Sequence, residues 1–329
     1  MRVSPVALGT MQFGWTASDV QAMQILDAYT EHGGNLIDTA NMYGGDQSVE
    51  SFQSNKTRVG VSETIIGRWL HTHNRRHQVV LTTKVRARMW EGADGAGLTR
   101  RHIERAVNDS LQRLRTDHID VLYAHWPDPS AVAEEWLETF ADLIRCGKVR
   151  VAGTSNFCGF ESFGDLLTPL IRLADGDSRY ARIRVEQPRF NLLHRAEYES
   201  ALQSIARKEQ LGIVTYSSLA SGFLAGAIAL RQTPNGTRAK HLAQYCTGEG
   251  WRLLEGLHHI ARDRNAPVAS VSLAWTLAQP GISSAIIGAD RIDQLAEASY
   301  APALTLDPGE MDLLSRLSWR SSKAEFVEW

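Results

Sequence analysis

The chain has 329 residues, 43% hydrophobic and 22% charged, with a formal net charge of −2, a composition that speaks against disorder. Near-balanced charge gives no basic footprint for nucleic acid, and no run reaches the ~18 consecutive apolar residues of a membrane span. Cys146, Cys158 and Cys246 lack the CxxC spacing of a redox or zinc motif and no His or Cys set has zinc-site spacing, so no metal is expected and a reducing compartment fits.

The start, MRVSPVALGT, lacks the charged segment and long apolar stretch of a secretory signal, and a cytoplasmic protein is expected. Short β-branched or apolar runs then recur at 6–10, 35–40, 78–84, 119–125, 149–155, 182–187, 212–218 and 283–289. Between them apolar residues fall at helical spacing, as in Ile25, Leu26 and Tyr29, in Ile103, Val107, Leu111 and Leu114, and in Trp136, Leu137, Phe140 and Ile144. Gly33 and Gly34 follow the first such stretch and Gly147 the fourth, where helix ends favour glycine. Strand and helix alternate throughout, which predicts a parallel sheet, and eight units closing on themselves make a (β/α)8 barrel spanning 1–329 as one domain. An open doubly wound sheet is the alternative, but no GxGxxG follows the first run. Polar stretches after Tyr43 and after Tyr216, the latter reaching about Gly250, interrupt the spacing and are expected as loops over the C-terminal face. HTHNRRH, at 71–77, reads as the solvated end of a helix.

Asp38, Tyr43, Lys84 and His125 each stand just past one of these runs. In a parallel barrel, residues at the C-terminal ends of successive strands meet around one rim, so their separation in sequence is no obstacle to a shared site. Singly each is ordinary, since an Asp before Thr often forms a turn and a lone Tyr or His often belongs to the core. Together they match one chemistry. A phenol has a pKa of ~10, and a neighbouring ammonium is expected to draw it down toward the working pH of an acid catalyst. Asp38 would keep that ammonium charged away from water.

LGTMQFG (8–14), NLIDTANMYG (35–44), TTKV (82–85), SLQRLRTDHIDVLYAHWPD (110–128), GKVRVAGTSNF (147–157), EQPRFN (186–191), YSSLASGFLAG (216–226) and IIGA (286–289), in this order, resemble the aldo-keto reductase superfamily over nearly the whole chain. The resemblance implies that Tyr43 gives its proton to a carbonyl oxygen, that Lys84 paired with Asp38 lowers the phenol's pKa, and that His125 orients the substrate. It further implies a nicotinamide site at Thr10, Met11, Asp38, Ser155, Asn156, Gln187 and Tyr216. Ser217, Leu219 and Gly222 match the pyrophosphate loop, while Gly288, Arg291 and Gln294 would take the adenosine 2′-phosphate and adenine at a helix N-terminus. Trp15, Trp90 and Trp126 are expected as the substrate wall.

The sequence departs from the common pattern at Asp290, where many relatives carry a basic or small polar residue, and at Ala298, where asparagine is frequent; NADPH is therefore expected with NADH left open. It also begins almost at LGTM, without the usual hairpin under the barrel, so either the bottom is covered otherwise or residues upstream are missing from the sequence. The implied activity is NADPH-dependent reduction of a small-molecule aldehyde or ketone. Sugar or alcohol oxidation, or reduction of a nucleotide-sugar enone, are alternatives on the same residues. An NADPH-sensing regulatory subunit resembling the potassium-channel β-subunits is another.

Overall fold

In the computed structural model the described residues are 1–45, 59–160, 164–233 and 239–318. Most of the polar stretch after Tyr43 thus lies outside them, and so does the expectation of a loop there. The barrel strands are β1 (Val6–Gly9), β2 (Leu36–Asp38), β3 (Val80–Val85), β4 (Ile119–Ala124), β5 (Val149–Ser155), β6 (Ile183–Gln187), β7 (Gly212–Thr215) and β8 (Ile282–Gly288), with a separate two-stranded sheet of Cys158–Phe160 and Gly164–Asp165. They close into one barrel in which each pairs in parallel with its sequence neighbours and β1 pairs with β8. The open-sheet alternative is thereby excluded. All eight correspond to the expected runs, but several are shorter, because the chain turns onto the rim before the run ends: Tyr216 N still donates to Pro188 O, and Ser217 is already left-handed at φ 55°.

Helices pack outside the barrel on the faces their spacing predicts. The helix α1 (Asp19–Glu31) starts with a Ser18/Gln21 capping box and buries Ile25, Leu26 and Tyr29. Gly34 follows it because a Cβ there would lie 2.2 Å from the Tyr29 ring. Next come α2 (Val61–His73) and α3 (Arg100–Leu114), the latter burying Ile103, Val107, Leu111 and Leu114. In α4 (Ala133–Arg145), Trp136, Leu137 and Phe140 are buried. The exposed end of α2 carries His71 and His73, as the reading of 71–77 predicts. After β7 the long stretch contains a 3-10 segment, Ala220–Ala225, and a short helix, Ala239–Ala243, before helices at Gly248–Asp263 and Val268–Leu277; Ile292–Ser299 and Pro308–Leu317 follow β8. None of the described helices is long and apolar enough to cross a membrane.

Alternation along each strand divides the barrel interior into layers. The lower layer is apolar: Ala7, Leu36, Val80, Val214 and Ile286, with Val3 and Val185 packed against them. Val3 thus helps close the bottom of the barrel. The segment is held by Ser4, whose N donates to Asn35 Oδ1 at 2.7 Å, while Ser284 Oγ donates to Ser4 O at 2.8 Å. Further along the strands, two residues on for Asp38 and Gln187 and four for Lys84, the interior turns polar, and Tyr123 lies level with Lys84. Gly153 makes room in it, since a Cβ there would stand 2.6 Å from the Tyr123 ring.

Candidate active site

At the C-terminal end of the barrel, β2 and β3 bring Asp38 and Lys84 together. Lys84 Nζ donates to Asp38 Oδ2 at 2.5 Å and to Thr39 O at 2.9 Å, and both side chains are almost fully buried. The carboxylate is held further by Thr82 Oγ1 and Gln187 Nε2, at 2.8 and 2.9 Å from Oδ1. Desolvation pulls the Lys84 pKa down and Asp38 opposes it, so the carboxylate favours the charged form of this buried amine.

Tyr43 stands over that pair, with Lys84 Nζ 5.3 Å from its ring centroid. His125, at the end of β4, meets the Tyr43 ring edge-on with centroids 6.0 Å apart and stacks on Trp126 at 3.7 Å. Ala40, Met42, Ala87 and Met89 complete an apolar cluster around Tyr43 and Trp126. The expected lowering of the phenol pKa is not what this geometry gives. Burial, with the Asp38 charge second, pushes Tyr43 well above the usual phenol value. The nearby ammonium does not reverse this direction. Tyr43 thus keeps its proton at neutral pH. Burial, with Lys84 and Arg86 beside it, drives His125 well below the usual histidine value, so its ring is neutral. Its Nδ1 is buried and has no hydrogen-bond partner among the described residues.

The residues expected around the nicotinamide form one hydrogen-bonded chain. Tyr216 Oη donates to Asn156 Oδ1 at 2.9 Å, Asn156 Nδ2 to Ser155 Oγ at 3.1 Å, and Ser155 Oγ to Gln187 O at 2.8 Å. Gln187 then joins the chain to Asp38. Behind it Glu186 is fully buried and accepts from the Thr154 hydroxyl and from Phe157 N. Desolvation raises its pKa from 4.5 to about 7. Between those values the folded protein holds a proton that the unfolded chain has released, so folding stability falls as pH rises through this window. The difference between wild type and Glu186→Gln should change by about 3 kcal/mol across it, read from urea unfolding at a series of pH values. Parallel pH dependences would exclude the effect.

On the side of β7 and β8, Ser217 (φ 55°), Ala220 (φ 48°), Ser221 (φ 57°) and Gly222 (φ 100°) are left-handed. Ala220 N and Gly222 N donate within the turn, to Ser217 O and Leu219 O. Leu219 lies within this turn, accepting from Gly222 N at 2.9 Å. Thr10 is fully buried and spends its hydroxyl on Asp38 O, while Met11 and Trp15 are half-buried on the turn after β1. Gln12, which the motif reading passed over, lies across Gly288: a Cβ on that glycine would sit 2.0 Å from Gln12 Nε2, and Gln12 Oε1 is buried without a partner. At the following helix start, Gln294 Oε1 already accepts from the N–H groups of Asp290 and Arg291, and the exposed Arg291 guanidinium pairs with Asp293 at 2.8 Å. Those two amides are thus not free for a phosphate.

Trp90 is not brought to the site. The loop after β3 doubles back, with Met89 N bonded to Gly95 O and Gly97 N to Arg86 O, and its tip rests on α3. There Trp90 stacks on His102 at 4.8 Å beneath the Arg105 guanidinium at 4.0 Å, so it belongs to the packing outside the barrel. Asn41, two residues before Tyr43, is fully buried with neither amide atom hydrogen-bonded to the described residues, another feature the motifs do not reveal. No group of three or more His, Cys, Asp or Glu among the described residues is placed to hold a metal ion.

The structure is a closed parallel barrel with Asp38, Tyr43, Lys84 and His125 gathered at one rim. A sequence profile described as the Aldo/keto reductase family matches residues 5–318. The chain is 34% identical over 323 residues to the "Uncharacterized oxidoreductase YrpG" of Bacillus subtilis, covering 96% of this chain and 92% of that protein. It is 29% identical over 319 residues to "Protein tas" of Escherichia coli, covering 90% and 88%, and 30% identical over 315 residues to a "Probable voltage-gated potassium channel subunit beta" of Arabidopsis thaliana, covering 90% and 87%. The chain belongs to the aldo/keto reductase family and is an NAD(P)H-dependent oxidoreductase. Carbonyl reduction on a small-molecule substrate is the chemistry that membership supports.

Proposed function

We propose that this protein reduces an aldehyde or ketone to the alcohol with NADPH, and that Tyr43 is the proton donor. The observation that carries this reading is the Tyr43 phenol standing beside His125 and over the buried Asp38–Lys84 pair. The unpartnered Gln12 Oε1 and the left-handed turn through Gly222 fit a dinucleotide held between β1, β7 and β8. Ser155, Asn156, Gln187 and Tyr216 would hold its nicotinamide, and Ser217, Leu219 and Gly222 its pyrophosphate. When bound, that group supplies the hydride.

The remaining chemistry falls to this chain. Burial holds the proton on Tyr43 Oη until an alkoxide, a far stronger base than water, is there to take it. The charge of Lys84 favours the tyrosinate left behind, and Asp38 preserves that charge. With Nδ1 buried and unpartnered, His125 is read as carrying its proton on Nε2, where it donates to the substrate oxygen. A phenol protonated at neutral pH is an acid rather than a base, which favours reduction over alcohol oxidation. Trp126 forms the apolar wall, with Trp15 on the facing turn.

NADPH is favoured because the Arg291–Asp293 pair is exposed, adds little to stability, and is readily exchanged for a 2′-phosphate. The reducing cytoplasm suits the three free cysteines. The channel-subunit name of the Arabidopsis relative favours a second reading, a cofactor-sensing subunit. A panel of aldehydes and ketones assayed with NADPH and again with NADH separates the readings. The first predicts turnover with a lower KM for NADPH; cofactor binding with no turnover on any carbonyl would favour the second.

A further inference from the structure

We propose that Arg86 binds an anionic group, a carboxylate or a phosphate, carried by the carbonyl substrate. The inference rests on the reductase reading above and adds the substrate class. Lys84 pairs with Tyr123 and Val85 with Ala124 in the β3–β4 register, which sets Arg86 level with His125. His125 N donates to Val85 O at 3.0 Å, immediately before Arg86. The next residues, Ala87 and Met89, pack with Tyr43 and Trp126. Arg86 therefore stands at the mouth beside the groups that meet the carbonyl.

Its own state is unusual. Arg86 has φ 119°, a conformation costly for any residue with a side chain and one that persists where the surroundings impose it. Gly97 N, donating to Arg86 O at 2.8 Å, is one such restraint. Yet no hydrogen bond or ion pair to the described residues occupies its half-buried guanidinium, and its Nε is sealed from solvent without an acceptor. Asp128, whose pKa the Arg86 charge helps lower, is already engaged by Leu98 N and by Ser130. Barrel order places β3 and β4 across the mouth from β7 and β8, where the left-handed turn would take the cofactor's phosphates. A cation on the far side is thus left for the substrate.

The test compares two matched pairs, benzaldehyde with 4-carboxybenzaldehyde and glyceraldehyde with glyceraldehyde 3-phosphate. In the wild type the anionic member of at least one pair should be favoured about tenfold or more in kcat/KM, mainly through KM, the worth of one charge-assisted hydrogen bond. Which pair shows the preference separates carboxylate from phosphate. Arg86→Met should bring the ratio close to one and Arg86→Lys should restore part of it. Arg86→Gly, which also relieves the positive φ, should lose the preference likewise and serves if the Met variant does not fold. Ratios near one in the wild type, or a preference that survives in the Met or Gly variant, would overturn the assignment while leaving the reductase reading intact. Failure of all four aldehydes to be reduced would instead sink that reading and this inference with it.

Discussion

Tyr43→Phe should lower aldehyde turnover by about 10²- to 10⁴-fold, the usual contribution of a positioned proton donor. The ring survives this change, so its packing with Ala40, Met42, Ala87 and Trp126 is preserved; only the hydroxyl is lost. Cofactor affinity should therefore stay within about threefold, since 0.6 kcal/mol separates such values and no residue of the proposed nicotinamide chain is touched. Steady-state kinetics with a fluorescence titration of NADPH distinguishes the two effects. A large fall in cofactor binding would show that Tyr43 acts by shaping the site.

Lys84→Met should be still more damaging, because it affects both stability and rate. The substitution leaves the Asp38 carboxylate in the barrel interior without its charge partner, and removing one member of a buried pair typically costs about 3 to 5 kcal/mol. Thr82 and Gln187 still donate to Asp38, which places the expected loss toward the lower end. Turnover should fall with it, since nothing else favours the tyrosinate. Lys84→Met/Asp38→Asn removes both charges and should recover much of the stability without recovering the rate. Urea unfolding of the single and double variants, with turnover measured on each, checks both halves. Recovery of rate in the double variant would mean that the pair matters only for packing.

Much of the barrel was legible in the sequence because its signals are local. Runs such as VVLTTKV bury one face inward and the other against helices, so they are apolar almost throughout, and spacing like that of Ile103, Val107 and Leu111 marks the covering helix face. The bringing together of Asp38, Tyr43, Lys84 and His125 followed from topology, since strand ends in a barrel share one rim.

What sequence missed depends on three dimensions. The motif shows an ammonium near a phenol but not that Asp38 lies against Lys84 and that burial dominates at Tyr43, so the direction of the phenol's pKa shift was misjudged. Trp90 follows Lys84 closely in sequence, but a tight turn through Gly95, where a Cβ would come within 1.9 Å of Trp90 O, carries it away to α3. The unpartnered amides of Gln12 and Asn41 and the backbone of Arg86 leave no trace in residue type or spacing. A left-handed φ at a non-glycine residue and an orphaned buried polar atom exist only in the folded chain.

In the proposed reaction Tyr43 delivers its proton from a phenol held well above its usual pKa. Single-turnover oxidation of bound NADPH by an aryl aldehyde, followed as a function of pH, tests it most directly. The predicted rate is constant through neutral pH and falls only under strongly alkaline conditions; no oxidation of NADPH, or a rate that already declines through neutral pH, would contradict it.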